Sequence, residues 1–137
     1  MKRIRFILMM SISLLFSCFG NEFEKEKIIG NYYLTTTDNY HRDIYIDFKL
    51  ETGDFVGVVS STIFSFGYNN KYIVAKQHPF DYPAKVDSIR TTYYIIPIYN
   101  STFSPEKGVL GPLTQVEFEL KKAELGILDI KFNRNIE

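Results

Sequence analysis

The stretch Asp43 to Leu50 alternates without a break: Ile44, Ile46, Phe48 and Leu50 fall on one side of an extended backbone, and Asp43, Tyr45, Asp47 and Lys49 on the other. Successive side chains of a strand point to opposite faces, so this period of two specifies a half-buried strand with one wet side. Such a strand needs neighbours to pair its backbone groups and a second layer to cover its apolar face. The composition supplies them. Phe (12) and Tyr (10) are abundant and Trp is absent, and β-branched residues cluster with the aromatics, which favours strands over helices.

Taken in order, Gly30 to Thr37 reads as a first strand with Tyr32 and Leu34 on one face, and Asp38-Asn39 as a turn. After the alternating strand, Thr52-Gly53-Asp54 turns the chain. Phe55 to Phe66 continues as a strand with a bulge at Gly57 and Ser60-Ser61. Tyr68 to Lys71 makes a hairpin turn and Tyr72 to Ala75 runs back. Proline removes a ladder donor, so His78 to Asp87, with Pro79 and Pro83, is expected as a loop, and Pro97 gives Thr91 to Tyr99 an edge position. Asn100 to Pro112 is expected as a second loop.

One helix is specified. Thr114 and Glu117 stand at the spacing of a capping box, and Leu113 and Phe118 at that of a hydrophobic staple. Val116, Leu120 and Ala123 recur at i, i+4, i+7 as the face expected to pack on the sheet, with Gly126 as the stop signal. Leu128, Ile130 and Phe132 then alternate with Asp129 and Lys131 as a last strand. The expectation is an α+β fold: a mainly antiparallel sheet of five or six strands with one C-terminal helix packed on it.

The N-terminal stretch is of another kind. Lys2, Arg3 and Arg5 precede an apolar run from Ile4 to Phe16 broken only by Ser11 and Ser13, the pattern of a secretory signal. The run falls short of the roughly 20 apolar residues that a spanning helix needs. It ends in Leu15-Phe16-Ser17-Cys18, which resembles the lipobox of bacterial lipoproteins, although Phe16 is bulkier than is usual in that family. The resemblance implies that the Cys18 sulfur is alkylated with diacylglycerol, that the chain is cut before it, and that the new amine is often acylated. Two or three acyl chains hold a protein stably at a membrane, where one holds it only weakly, at about 0.8 kcal/mol per buried methylene. Cys18 is the one cysteine, so it has no disulfide partner within the chain.

The expected organisation is a signal peptide over 1–17, a tether over 18–28 and a single domain over 29–137. Loss of Lys2, Arg3 and Arg5 with the signal leaves 13 of the 16 basic residues against 16 acidic ones. That slightly acidic balance argues against a nucleic-acid binder, which needs a basic face to draw in phosphates.

A second likeness is carried by Lys71-Tyr72-Ile73-Val74-Ala75-Lys76-Gln77, by Tyr93-Tyr94-Ile95-Ile96, and by Gly111-Pro112-Leu113-Thr114 with Phe118 and Glu124-Leu125-Gly126-Ile127. These blocks resemble a family of small bacterial lipoproteins catalogued as domain of unknown function 3997. The likeness covers about the C-terminal half, and the strands before Ser60 do not match it. It implies a lipid-anchored exported domain and brings no catalytic residues.

Chemistry is sparse. His41-Arg42-Asp43 matches the opening of a protein-kinase catalytic loop, but the glycine-rich loop, the strand lysine and the Asp-Phe-Gly that must accompany it are missing from the sequence. Asp43 and Asp47 share a strand face, yet strand rise sets their α-carbons about 13 Å apart, beyond the roughly 5 to 9.5 Å carboxyl separations of glycosidases. His41 and His78 lack metal-ligand spacing. Tyr45, with Tyr93 or Tyr94 and Tyr99, is the candidate set for partner binding, as rings that stack on sugars or pack on a protein.

The expectation is a non-catalytic, exported protein without cofactor or metal, anchored by lipid at Cys18 to the bacterial cell membrane or outer membrane. There it would bind an envelope protein or glycan, and not nucleic acid. An envelope hydrolase acting on glycans and a small inhibitor or immunity-type protein are the alternatives.

Overall fold

The computed structural model describes residues 24–37, 43–80, 86–99 and 104–136. The chain forms strands β1 (Glu24–Ile29), β2 (Tyr32–Thr36), β3 (Ile44–Lys49), β4 (Phe55–Val59), β5 (Ile63–Tyr68), β6 (Tyr72–Gln77), β7 (Thr92–Pro97) and β8 (Leu110–Leu113). Helix α1 (Gln115–Leu125) and the short β9 (Arg134–Asn135) follow. All pairings are antiparallel. The expected antiparallel strands with one C-terminal helix are present, but the strands form two sheets, β1-β2-β3-β4 and β8-β7-β6-β5-β9.

The alternation of β3 sets the architecture. Ile44, Ile46 and Phe48 are buried, and in register with them stand Leu34 and Tyr32 of β2. This face packs on Phe66, Ile73, Ala75 and Ile96 of the second sheet in one cluster. The Tyr32 hydroxyl crosses between the sheets to donate to the Pro97 carbonyl at 2.9 Å, and the burial of the ring pushes its pKa up. The other face of the second sheet, with Val74 and Ile95, packs on Phe118, Ile127 and Ile130 in a second cluster. The molecule is thus three layers deep, sheet on sheet on helix.

Several local expectations change. Glu24 to Lys27, expected within a tether, pair with Thr36 to Tyr33 as the edge strand β1. The stretch expected as one strand from Phe55 to Phe66 leaves the first sheet after Val59 and enters the second at Ile63. β8 forms inside the expected second loop and covers β7, so β7 is not an edge. Pro97 is tolerated because Ile98 donates to Lys71 while the Pro97 nitrogen points to the β8 side, where pairing ends at Ile95 and Leu110. Leu128 to Phe132 is not a strand; the chain there packs irregularly across β5, and only Arg134–Asn135 pairs. Gly67 permits this, since a Cβ at that position would overlap the Lys131 carbonyl.

The helix begins as the sequence predicts. The Thr114 side chain accepts from the Glu117 amide, the Glu117 carboxylate accepts from the Thr114 amide at 2.8 Å, and Gly126 closes the helix at φ 68°. Its buried face differs from the expected one. Phe118 and Lys122 are buried, whereas Val116 and Leu120 are 70% and 66% exposed. Phe118 stacks on Tyr93 at 4.9 Å and contacts Phe132 at 5.7 Å. The Lys122 stem lies in the core while its ammonium donates to the Ile130 carbonyl at 3.1 Å. The Asp38-Asn39 turn lies outside the described residues.

Candidate functional site

Where the chain crosses from β4 to β5 it passes the end of β6, and one side chain ties the place together. Gln77 is buried, and its amide nitrogen donates to the carbonyls of Ser60 (2.9 Å) and Ser61 (2.8 Å). Its amide oxygen accepts from the hydroxyls of Thr92 (3.1 Å) and Tyr94 (3.0 Å). Two further bonds hold the crossover, from the Thr62 hydroxyl to the His78 carbonyl (2.7 Å) and from the His78 amide to the Thr62 carbonyl (3.0 Å).

Above this clamp opens a cleft of about 630 Å³. Ser60 and Ser61 line one side, and the β8–α1 junction at Pro112 to Gln115 lines another. Pro79, Phe80 and Arg90 complete it, and Phe80 is 51% exposed. The size and the mixture of apolar walls with a few fixed polar groups suit a small ligand or a chain segment. Burial pushes the pKa of Tyr94 up, so at neutral pH its hydroxyl is a hydrogen-bonding group and not a base.

The tyrosines expected to share a binding face are spread over four places. Tyr45 lies on the outer face of the first sheet, opposite Thr35. Tyr93 and Tyr94 are neighbours on one strand and so face opposite ways, Tyr93 under the helix and Tyr94 toward the sheet interface and the cleft. Tyr99 is partly exposed past the end of β7, with its amide directed at the Tyr32 hydroxyl at 3.4 Å. Of the four, only Tyr94 lines the cleft. Gln77, which organises the cleft, carried no sequence signal of its own; its partners come from 60–61 and 92–94.

Asp47 pairs with Tyr33 and Gly57 across the first sheet. The His78 ring stacks on Phe64 at 4.0 Å, and its Nδ1 lies 3.1 Å from the Arg90 carbonyl. Among the described residues no three His, Cys, Asp or Glu side chains converge as a metal site would require. Cys18 and His41 lie outside the described residues. No helix among the described residues is long and apolar enough to cross a membrane.

Comparison with curated proteins and with solved structures gives no match. A family model does match, over residues 29–137, and so takes in β2 to β4 as well as the C-terminal blocks that carried the resemblance in sequence. With the whole of the two-sheet domain inside that match apart from most of β1, the chain belongs to the family described as protein of unknown function DUF3997.

Proposed function

We propose that this chain is an exported, lipid-anchored binding protein that works without catalysing a reaction and takes its partner in the cleft above Gln77. The observation that carries the binding half is the state of the cleft's polar groups. The amide of Gln77 and the hydroxyls of Thr92 and Tyr94 are bonded to one another and to the crossover, so they fix a shape. An enzyme of the hydrolase kind needs an activated nucleophile or an acid and base held within hydrogen-bond reach of a substrate. The anchor half rests on the apolar run and Leu15-Phe16-Ser17-Cys18, which stand just ahead of the folded domain.

Both halves are open to test in bacteria. Radiolabelled palmitate is expected to enter the wild-type chain and not Cys18→Ala, and equal labelling would remove the anchor. A photo-crosslinking side chain at the exposed Gln115, on the cleft, is expected to give adducts that the same group at Glu51, in the β3–β4 turn, does not. Identical adduct patterns at the two positions would remove the cleft.

A further inference from the structure

The loop between β6 and β7 holds its apolar residues away from the core. Phe80 is 51% exposed, Val86 39% and Ile89 95%. Phe80 and Val86 stand opposite each other in an antiparallel bridge, and the Asp87 amide donates to the Pro79 carbonyl at 3.0 Å, so the two described arms of the loop are tied together. Directly opposite residues of such a pair carry their side chains on one face. Asp87 then shapes the next turn, where its carboxylate accepts from the amides of Ile89 (3.1 Å) and Arg90 (3.3 Å). At the base, the His78 ring stacks on Phe64 and its Nδ1 lies against the Arg90 carbonyl. Ile89 is thus held outward by bonds of its own backbone.

The strand register puts this loop at the end of the molecule where the N-terminal stem enters. Glu24, the first residue of β1, stands opposite Thr36, and Thr36 opposite Ile44. β4 finishes at the same end with Val59, opposite Ile46, and the crossover 60–62 passes from there to Ile63 at the start of β5. Ile63 is opposite Gln77 and Gln77 opposite Thr92, the two residues between which the loop runs. Ile136, whose amide donates to the Phe64 carbonyl, lines a common recess with Glu24. β9, β5, β6 and β7 are successive neighbours at about 4.8 Å, so the loop leaves its sheet about 10 to 15 Å from that recess. Cys18 stands six residues before Glu24, a reach of at most about 20 Å. The six-residue strands are about as long, so a lipid on Cys18 sets this end nearer the bilayer than the β3–β4 turn at the other.

We propose that the loop carrying Phe80, Val86 and Ile89 docks into the lipid surface to which Cys18 is anchored, as a second point of contact that fixes how the domain sits. The inference rests on the anchored reading of the chain and adds an orientation to it. Exposed apolar side chains that cluster mark an interaction surface, where scattered ones do not. The stem brings a bilayer to this end, and the boundary between headgroups and acyl chains takes up apolar side chains without a shaped complement. The charges at this end include both signs, Glu24 and Asp87 as well as Lys25 and Arg90, and the Arg90 guanidinium stands 3.9 Å from the Asp87 carboxylate. The contact is therefore expected with neutral lipid. Phe80 and Arg90 also line the cleft, so docking sets the mouth of the cleft beside the membrane surface.

Cys18 is the one cysteine, so once its sulfur carries lipid a cysteine placed elsewhere is the only thiol that takes a dye. The test uses the chain as extracted from bacterial membranes, with an environment-sensitive dye on Ser88→Cys or, in the β3–β4 turn, on Glu51→Cys. Each is reconstituted into phosphatidylcholine vesicles that carry nitroxide on the acyl chains. The dye at position 88 is expected to shift to the blue and lose emission to the nitroxide, and the dye at position 51 to do neither. Adding Phe80→Ser and Ile89→Ser should abolish the quenching at position 88 with the melting temperature unchanged, since both side chains are exposed. A chain that floats with the vesicles but shows no quenching at position 88, or equal quenching at both positions, would overturn the proposal and leave the anchor standing. A blue shift at position 88 without quenching would mean that protein covers the loop, which also overturns it. A chain whose mass shows no lipid, or that stays behind when the vesicles float, removes the anchored reading and this proposal with it.

Discussion

Replacing Gln77 by leucine roughly keeps the volume and removes every hydrogen bond of the Gln77 side chain, leaving the two bonds between Thr62 and His78 in place. Five groups lose their partner: the carbonyls of Ser60 and Ser61 and the hydroxyls of Ser60, Thr92 and Tyr94. Ser60 is exposed and regains water, and the Thr92 hydroxyl keeps its contact with the Gln77 backbone carbonyl at 3.4 Å. The Ser61 carbonyl and the Tyr94 hydroxyl remain, both part-buried. At about 1 to 3 kcal/mol for each orphaned buried group, discounted for partial exposure, Gln77→Leu should lose about 2 to 4 kcal/mol. For a domain of this size that lowers Tm by on the order of 10 to 20 °C, and in urea it moves the midpoint at constant slope.

Gln77→Glu should be worse at neutral pH, because its carboxylate would be buried against two carbonyl oxygens with nothing to donate. Burial raises the folded-state pKa of that carboxyl above the unfolded value of about 4.3. The variant is then most stable below the unfolded pKa and loses stability as pH rises through the folded one. Thermal melts of both variants between acid and neutral pH supply the check. Gln77→Leu within 0.5 kcal/mol of wild type, or a Gln77→Glu deficit that does not shrink in acid, would refute the clamp.

Other expectations follow from packing and caps. Phe118→Ala should cost about 3 to 5 kcal/mol in a urea titration, because its ring fills the space between Tyr93 and Phe132, while Leu120→Ser on the exposed face should stay within about 0.5 kcal/mol. The bond from the Thr114 amide, and then its hydroxyl, lowers the Glu117 pKa, so this cap's stabilisation is present above the unfolded carboxyl pKa and lost as pH falls through the folded one. Circular dichroism of Glu117→Gln should therefore lack that part of the acid sensitivity. Gly67→Ala should destabilise by more than the usual surface substitution, since its Cβ would meet the Lys131 carbonyl, and a wild-type melting temperature would contradict the packing of residues 127–133 across β5.

What the sequence disclosed and what it hid divide along physical lines. The β3 alternation, the capping box and the Asn69 turn were legible because each is made by residues close together in the chain. In that turn the Asn69 side chain accepts from the amides of Lys71 and Tyr72 at 2.8 and 2.9 Å. The helix face was misread because both sides of α1 carry apolar residues at helical spacing, and a lysine marks the buried one. The Lys122 stem packs while its charge finds a carbonyl, and no periodicity count reveals this.

β1 was hidden by its charge. Glu24 to Lys27 has no apolar residue, but an edge strand needs none, and charges there discourage pairing with other chains. β9 and the irregular run before it depend on Gly67 and on bonds from Ser65 to the Arg134 carbonyl (3.0 Å) and the Asn135 side chain (2.8 Å), contacts nearly 70 residues apart. The cleft was illegible for the same reason, because its organising amide meets partners from two other segments.

The most direct test of an anchored binding protein is the intact mass of the mature chain extracted from bacterial membranes. A product that begins at residue 18 and carries a diacylglycerol on the Cys18 sulfur is the predicted result. An unmodified Cys18 thiol, or a first residue elsewhere, would contradict it.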